Sequence, residues 1–103
     1  MNVPTVSVHD VTDHTSGDWV VLDVREPYEW AAGHIEGALH IPMGDIPTRV
    51  GELDPQARTL VVCHVGARSA RVTAWLHQQG FDVANLAGGM DAWEGAKRPT
   101  VRA

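Results

Sequence analysis

Two short apolar runs dominate the pattern of the chain, Trp19-Val20-Val21-Leu22-Asp23-Val24 and Thr59-Leu60-Val61-Val62-Cys63. Both are rich in β-branched residues and neither alternates cleanly between apolar and polar positions. That is the pattern of strands covered on both faces, as in a parallel sheet. Shorter strand signals lie at Val6 to Val8, Ala38 to Ile41 and Val83 to Leu86, with helical patterns between them. Glu26 to Ala32 carries Pro27 in its first turn and stops at Gly33, matching the preference for Pro at helix starts and Gly at helix ends. Ala67 to Gln79 is the longest, with Val72, Trp75 and Leu76 forming an inward stripe and Gly80 as the stop signal. Met90 to Glu94, between Gly88-Gly89 and Gly95, predicts a last short helix that packs Trp93 inward. Strands and helices therefore alternate along the chain, which predicts an α/β fold.

The length of 103 residues predicts one domain, because a second compact unit needs on the order of 50 residues and its own core. With 44% hydrophobic and 20% charged residues, the chain has enough apolar side chain for that core. A net charge of -5 argues against a nucleic-acid partner, which demands a basic face. The one lysine, Lys97, joins Arg98 and Arg102 in a tail of about 97–103 that reads as a solvated end. No apolar stretch approaches the roughly 20 residues of a membrane span, and Met1 to His9 lacks the basic start and apolar run of a secretory signal. The expectation is a cytoplasmic protein with no membrane partner. Six His and one Cys raise the question of a metal, but the spacings do not favour one. His9 and His14 sit in a weakly patterned stretch, and Cys63-His64 adjacency is poor geometry for two ligands on one ion. No metal and no cofactor are expected. The four tryptophans, 19, 30, 75 and 93, fall at strand or helix positions where core packing is the ordinary explanation.

A single cysteine cannot form an intramolecular disulfide, so Cys63 is a buried small hydrophobe, a reactive thiol or incidental. Its position favours reactivity. In Cys63-His64-Val65-Gly66-Ala67-Arg68-Ser69 the thiol stands where a buried strand ends and a helix begins. Amides of a tight loop and a first helical turn lack intrahelical acceptors; where they converge they form an anion-binding nest that lowers a thiol's pKa. Gly66 supplies backbone freedom, Arg68 adds a fixed charge and a fork of donors, and Ser69 is placed to bond the sulfur or cap the helix. His64 has two open readings, a contact to a bound anion or a solvent-facing bystander.

At this point the chain resembles the single-domain rhodanese family of sulfurtransferases. The resemblance rests on four signatures in order: Asp23-Val24-Arg25-Glu26 with Glu29-Trp30; Gly33-His34-Ile35-Glu36-Gly37-Ala38-Leu39-His40-Ile41-Pro42; the loop from Cys63 to Arg68; and Leu86-Ala87-Gly88-Gly89-Met90-Asp91-Ala92-Trp93. It implies a parallel sheet of about five strands with helices on both faces. It also implies that Cys63 thiolate takes the outer sulfur of a small donor such as thiosulfate and holds it as a persulfide, within the amides of His64, Val65, Gly66, Ala67, Arg68 and Ser69, until cyanide or a thiol removes it. A protein acceptor is left open. Asp23 and Arg25 end a central strand near this loop. Asp23 is the better candidate for a supporting hydrogen bond to it, an Arg25 to Glu29 ion pair is the structural reading of the arginine, and His34 reads as part of a turn.

Two other functions compete. A Cys-dependent phosphatase or arsenate reductase also cradles an anion over a cysteine with an arginine following. Only four residues separate Cys63 from Arg68, however, and the smaller ring suits sulfur better than a tetrahedral phosphate. A non-catalytic binding module has no need of the thiol. Val65 and Ala67 bring no charge, so only Arg68 and protonated His64 are left to attract an anion. A persulfide or mercapto-acid donor therefore stays open beside thiosulfate.

Overall fold

In the computed structural model, which describes residues 3–11 and 19–102, the two apolar runs form the centre of one sheet. Its strands are β1 (Thr5–Val6), β2 (Val20–Asp23), β3 (Leu39–His40), β4 (Thr59–Val62) and β5 (Val83–Leu86), in the order β1-β5-β4-β2-β3. Every pair is parallel. β2 and β4 are in register from Val20 opposite Thr59 to Asp23 opposite Val62, so both end at the same edge.

The unbroken hydrophobicity of these runs reflects two cores. Side chains alternate across a strand. Val21, Leu60 and Val62 accordingly join one core, while Leu22, Val61 and Cys63 join the other. Helix α4 (Gly89–Gly95) covers the first with Met90 and Trp93. Helices α2 (Ile46–Arg49) and α3 (Ala67–Gln78) cover the second with Ile46, Val72 and Leu76. The expected α/β fold, with five parallel strands and helices on both faces, is therefore present. Helix α1 (Pro27–Ala32) follows β2 as expected, its start closed by reciprocal bonds between Glu26 and Glu29.

Three details depart from the sequence reading. Helix α2 and its flanking 3-10 turns, Met43–Asp45 and Val50–Glu52, were not anticipated. Gly44, Pro47 and Gly51 interrupt a segment whose Ile46 and Leu53 are nevertheless buried. The basic tail is not simply a solvated end. Arg98 donates to the carbonyls of Val8 and Val11 at 3.2 and 2.6 Å and lies over Trp93, and Val101 bridges to His34. Lys97 and Arg102 do remain exposed. Trp19 and Trp93 are buried, but Trp30 and Trp75 are only half-buried. Trp30 stacks on the imidazoles of His34 and His40, with ring centroids 3.5 and 4.6 Å away.

His34 fits its architectural reading: its ring nitrogen pairs with the carbonyl of Trp30, and its backbone pairs with Val101. His14 lies outside the described residues. Among the described residues no cluster could hold a metal ion, and no helix is long and apolar enough to cross a membrane.

Candidate active site

Parallel strands put their carboxyl ends at one edge, and β2, β4 and β5 deliver Asp23, Cys63 and Asn85 to or beside that edge. This is where open α/β sheets bind ligands. After Val62 the chain turns through residues 63–66 into α3. Gly66, at φ 106°, is the residue from which that helix starts. A side chain there would meet strain from the left-handed backbone, and its Cβ would lie 3.3 Å from the Gly88 nitrogen.

The loop is oriented by α4. The first amides of that helix need acceptors. Met90 N–H donates to the Cys63 carbonyl at 2.8 Å, and Asp91 N–H donates to the His64 carbonyl at 3.0 Å. These bonds draw the loop's carbonyls outward, while later amides turn toward the sulfur. Gly89 makes the approach feasible: a Cβ there would collide with the Cys63 carbonyl oxygen and come within 2.7 Å of that of His64. The double glycine is thus part of the cysteine loop's construction.

Cys63 is 1% exposed. Gly66 N–H points at its Sγ from 3.1 Å, and the Ser69 hydroxyl lies 3.2 Å from it. Burial pushes the thiol pKa up, but the Ser69 hydroxyl and the amides of Ser69, Gly66 and Arg68 outweigh it, leaving the pKa below the ordinary thiol value. Of the residues singled out from sequence, the structure gathers Cys63, Gly66, Ser69 and the Arg68 backbone about one sulfur. The side chains of His64, Val65 and Ala67 face outward, Val65 being 56% exposed.

Arg68 and His64, beside this loop, each face a carboxylate. Arg68 grips Glu29 with both terminal nitrogens, at 2.7 and 2.8 Å. The Arg68 guanidinium holds the Glu29 carboxyl down at about pKa 2, and the carboxylate raises the Arg68 pKa in turn. His64 Nε2 lies 2.9 Å from an Asp91 carboxylate oxygen, both side chains being more than half exposed.

Two expectations are corrected here. Arg25 does not pair with Glu29. Its Nε and a terminal nitrogen bond the Asp23 carboxylate at 2.9 to 3.1 Å, and a terminal nitrogen also donates to the Gly33 carbonyl at 2.7 Å. Asp23 sends no bond to the cysteine loop, since its carboxylate is taken up by the Arg25 guanidinium and backbone. The nearer pairing wins because Asp23 and Arg25 leave the same strand end two residues apart. Glu29, one helical turn into α1, is free to cross to α3.

Sequence reading missed Glu29 as the partner of Arg68, and it missed Asn85. Asn85 is buried in β5, where its carbonyl oxygen faces the Ser69 hydroxyl and its amide donates to the Gly66 carbonyl at 3.4 Å. The signal was available: one amide side chain inside the apolar Val83–Leu86 strand needs a polar partner. Beside the loop, Arg25, Tyr28, Glu29, Gly33, His64 and Glu94 line part of a cleft of about 280 Å³.

Residues 7–96 match the family model for a rhodanese-like domain. The chain is 46% identical to YtwF of Bacillus subtilis (strain 168) over 79 residues, covering 77% of each protein. It is 43% identical over 75 residues to the thiosulfate sulfurtransferase GlpE of Pseudomonas putida, covering 72% of this chain and 68% of that one. A rhodanese-related protein from Thermoplasma volcanium superposes with a TM-score of 0.91 at 28% identity, covering 97% of this chain and 99% of that structure.

Proposed function

The chain belongs to the rhodanese-like family, whose general activity is sulfur transfer, and from that membership we propose that it moves a sulfane sulfur through a persulfide on Cys63. The observation that carries the reading is the convergence of one hydroxyl and the Gly66, Arg68 and Ser69 amides on a thiol whose pKa they lower.

With thiosulfate as donor, the Cys63 thiolate attacks the outer sulfur. A sulfur–sulfur bond forms to Cys63, the donor's own sulfur–sulfur bond breaks, and its electron pair leaves with sulfite. In the second half-reaction cyanide or a thiol attacks the terminal sulfur, and the electron pair returns to Cys63 as thiolate. This is covalent catalysis in two displacements. The persulfide is an anion, and amides fixed by the fold stabilise it without reorganising.

The rim bears on the donor. The fixed charge of Arg68 is already paired with Glu29, and His64 faces the Asp91 carboxylate, so a free dianion must compete with carboxylates at the rim. That arrangement supports a donor held by more than charge, such as an organic persulfide or a mercapto acid, over efficient use of dilute thiosulfate. A protein acceptor is compatible with the exposed Tyr28 and Val65, and the chain works without a metal or organic cofactor in this scheme.

Intact-mass spectrometry after exposure to thiosulfate, an organic persulfide and a mercapto acid tests the proposal. One added sulfur on the wild-type chain, absent from Cys63→Ala, is expected. Sulfur uptake by Cys63→Ala equal to wild type would overturn it.

A further inference from the structure

Asn85 makes a contact that the persulfide scheme does not use. Ser69 Oγ lies 3.2 Å from Cys63 Sγ and within hydrogen-bond distance of Asn85 Oδ1, and all three residues are buried. A serine hydroxyl carries one proton, and an amide oxygen carries none. The hydroxyl can therefore donate to the sulfur or to Asn85, but not to both. The amide's orientation follows from its other end. Asn85 Nδ2 donates to the Gly66 carbonyl, and turning the amide over would set its oxygen against that carbonyl instead.

With Cys63 as a thiol every group is satisfied: the S–H donates to Ser69 Oγ, and the Ser69 O–H donates to Asn85 Oδ1. Once the thiol proton is lost to solvent, the hydroxyl is needed at the sulfur. Turning it there leaves the Asn85 oxygen facing Ser69 with no proton between them, and a buried acceptor without a donor is unfavourable.

We infer that Asn85 is a positioning residue that acts through Ser69, holding the hydroxyl proton away from the sulfur and so setting the pH at which Cys63 becomes a nucleophile. The amides of Gly66, Arg68 and Ser69 supply the constant part of thiolate stabilisation, and the Ser69–Asn85 pair supplies a part that ionisation must switch on. The inference rests on Cys63 being the reacting thiol of the proposed function.

The test is the pH profile of Cys63 alkylation by iodoacetamide in four proteins: wild type, Asn85→Leu, Ser69→Ala and the double variant. Leucine copies the branching of asparagine without its acceptor. Freed from Asn85, Ser69 donates to the thiolate at no cost to a neighbour. Asn85→Leu then lowers the apparent pKa by about one unit, with alkylation roughly three- to fourfold faster at pH values below both pKa values, because the tenfold gain in thiolate is partly offset by its lower nucleophilicity. Ser69→Ala raises the pKa, and adding Asn85→Leu to it changes nothing further. Asn85→Val, smaller and suited to a strand, repeats the comparison if near-UV circular dichroism shows that leucine unseats β5.

An unchanged or raised pKa in the single Asn85 variants would overturn the inference. So would a shift that persists in the Ser69→Ala background, since Asn85 would then act through the Gly66 carbonyl. Sulfur loading measured on the same proteins separates the two claims. If the wild-type chain takes up no sulfur while the alkylation cycle behaves as described, the transfer reading fails and the positioning role stands.

Discussion

The inner wall of the site and its rim are built on opposite plans. Around Cys63 uncharged groups act: the Ser69 hydroxyl and the amides of Ser69, Gly66 and Arg68 converge on the sulfur, and their loop is held by bonds from Met90 and Asp91 to the carbonyls of Cys63 and His64. At the rim, charge comes from side chains, and Arg25 and Arg68 each have a carboxylate within 3 Å, from Asp23 and Glu29, while His64 lies as close to that of Asp91. An amide cradle keeps its polarity at any pH and has no counter-charge to release before it meets an anion. A paired guanidinium must exchange one carboxylate for another ligand. The cradle is therefore suited to holding a bound sulfur, and the rim to regulating what reaches it.

The comparison can be broken most severely at Cys63 itself. Cys63→Ala is expected to lose all measurable sulfur transfer in a cyanide-acceptor assay while its circular dichroism stays native. Next comes the cradle's support. Gly89→Ala would drive a methyl into the carbonyls of Cys63 and His64, in a backbone conformation that favours glycine. Transfer should fall at least tenfold and the thermal midpoint should drop; native activity would show that α4 does not orient the loop.

The rim predicts smaller effects. Glu29→Gln frees Arg68, so KM for thiosulfate should fall a few-fold with little change in kcat, and a raised KM would mean that the pair itself binds donor. The same variant sharpens the electrostatics. Glu29 has a lowered pKa in the folded chain, so its pair contributes stability that is complete above the ordinary value of 4.5 and is lost as pH falls through about 2. Wild type should lose stability across that window more steeply than Glu29→Gln, as acid titration followed by tryptophan fluorescence would record.

What could be read from the sequence divides along the same line. The cradle was legible because it is contiguous: a strand end, a glycine and a helix start within seven residues specify converging amides whatever the neighbouring side chains are. The central strands were legible because two-sided burial leaves an unbroken apolar run. The rim was not, because its key pair joins residues 39 positions apart, and an i to i+4 partner for Glu29 was available in Arg25. Only the fold shows that Asp23 has already claimed Arg25. Asn85 was visible as a polar residue in an apolar strand, but its meeting with Ser69 depends on the adjacency of β4 and β5. Helix α2 escaped because glycines and a proline interrupt its short apolar repeat. Arg98 escaped because its partners, Val8 and Val11, lie almost the whole length of the chain away.

That the amides and the Ser69 hydroxyl, rather than rim charge, hold the sulfur can be checked on the persulfide of Arg68→Ala. The variant is loaded with excess donor to offset weaker capture, and the lifetime of the added sulfur is followed by intact mass. A lifetime equal to wild type is predicted, since the amides of residues 66, 68 and 69 survive the substitution. An Arg68→Ala chain that never retains the sulfur its wild-type counterpart holds would contradict the account.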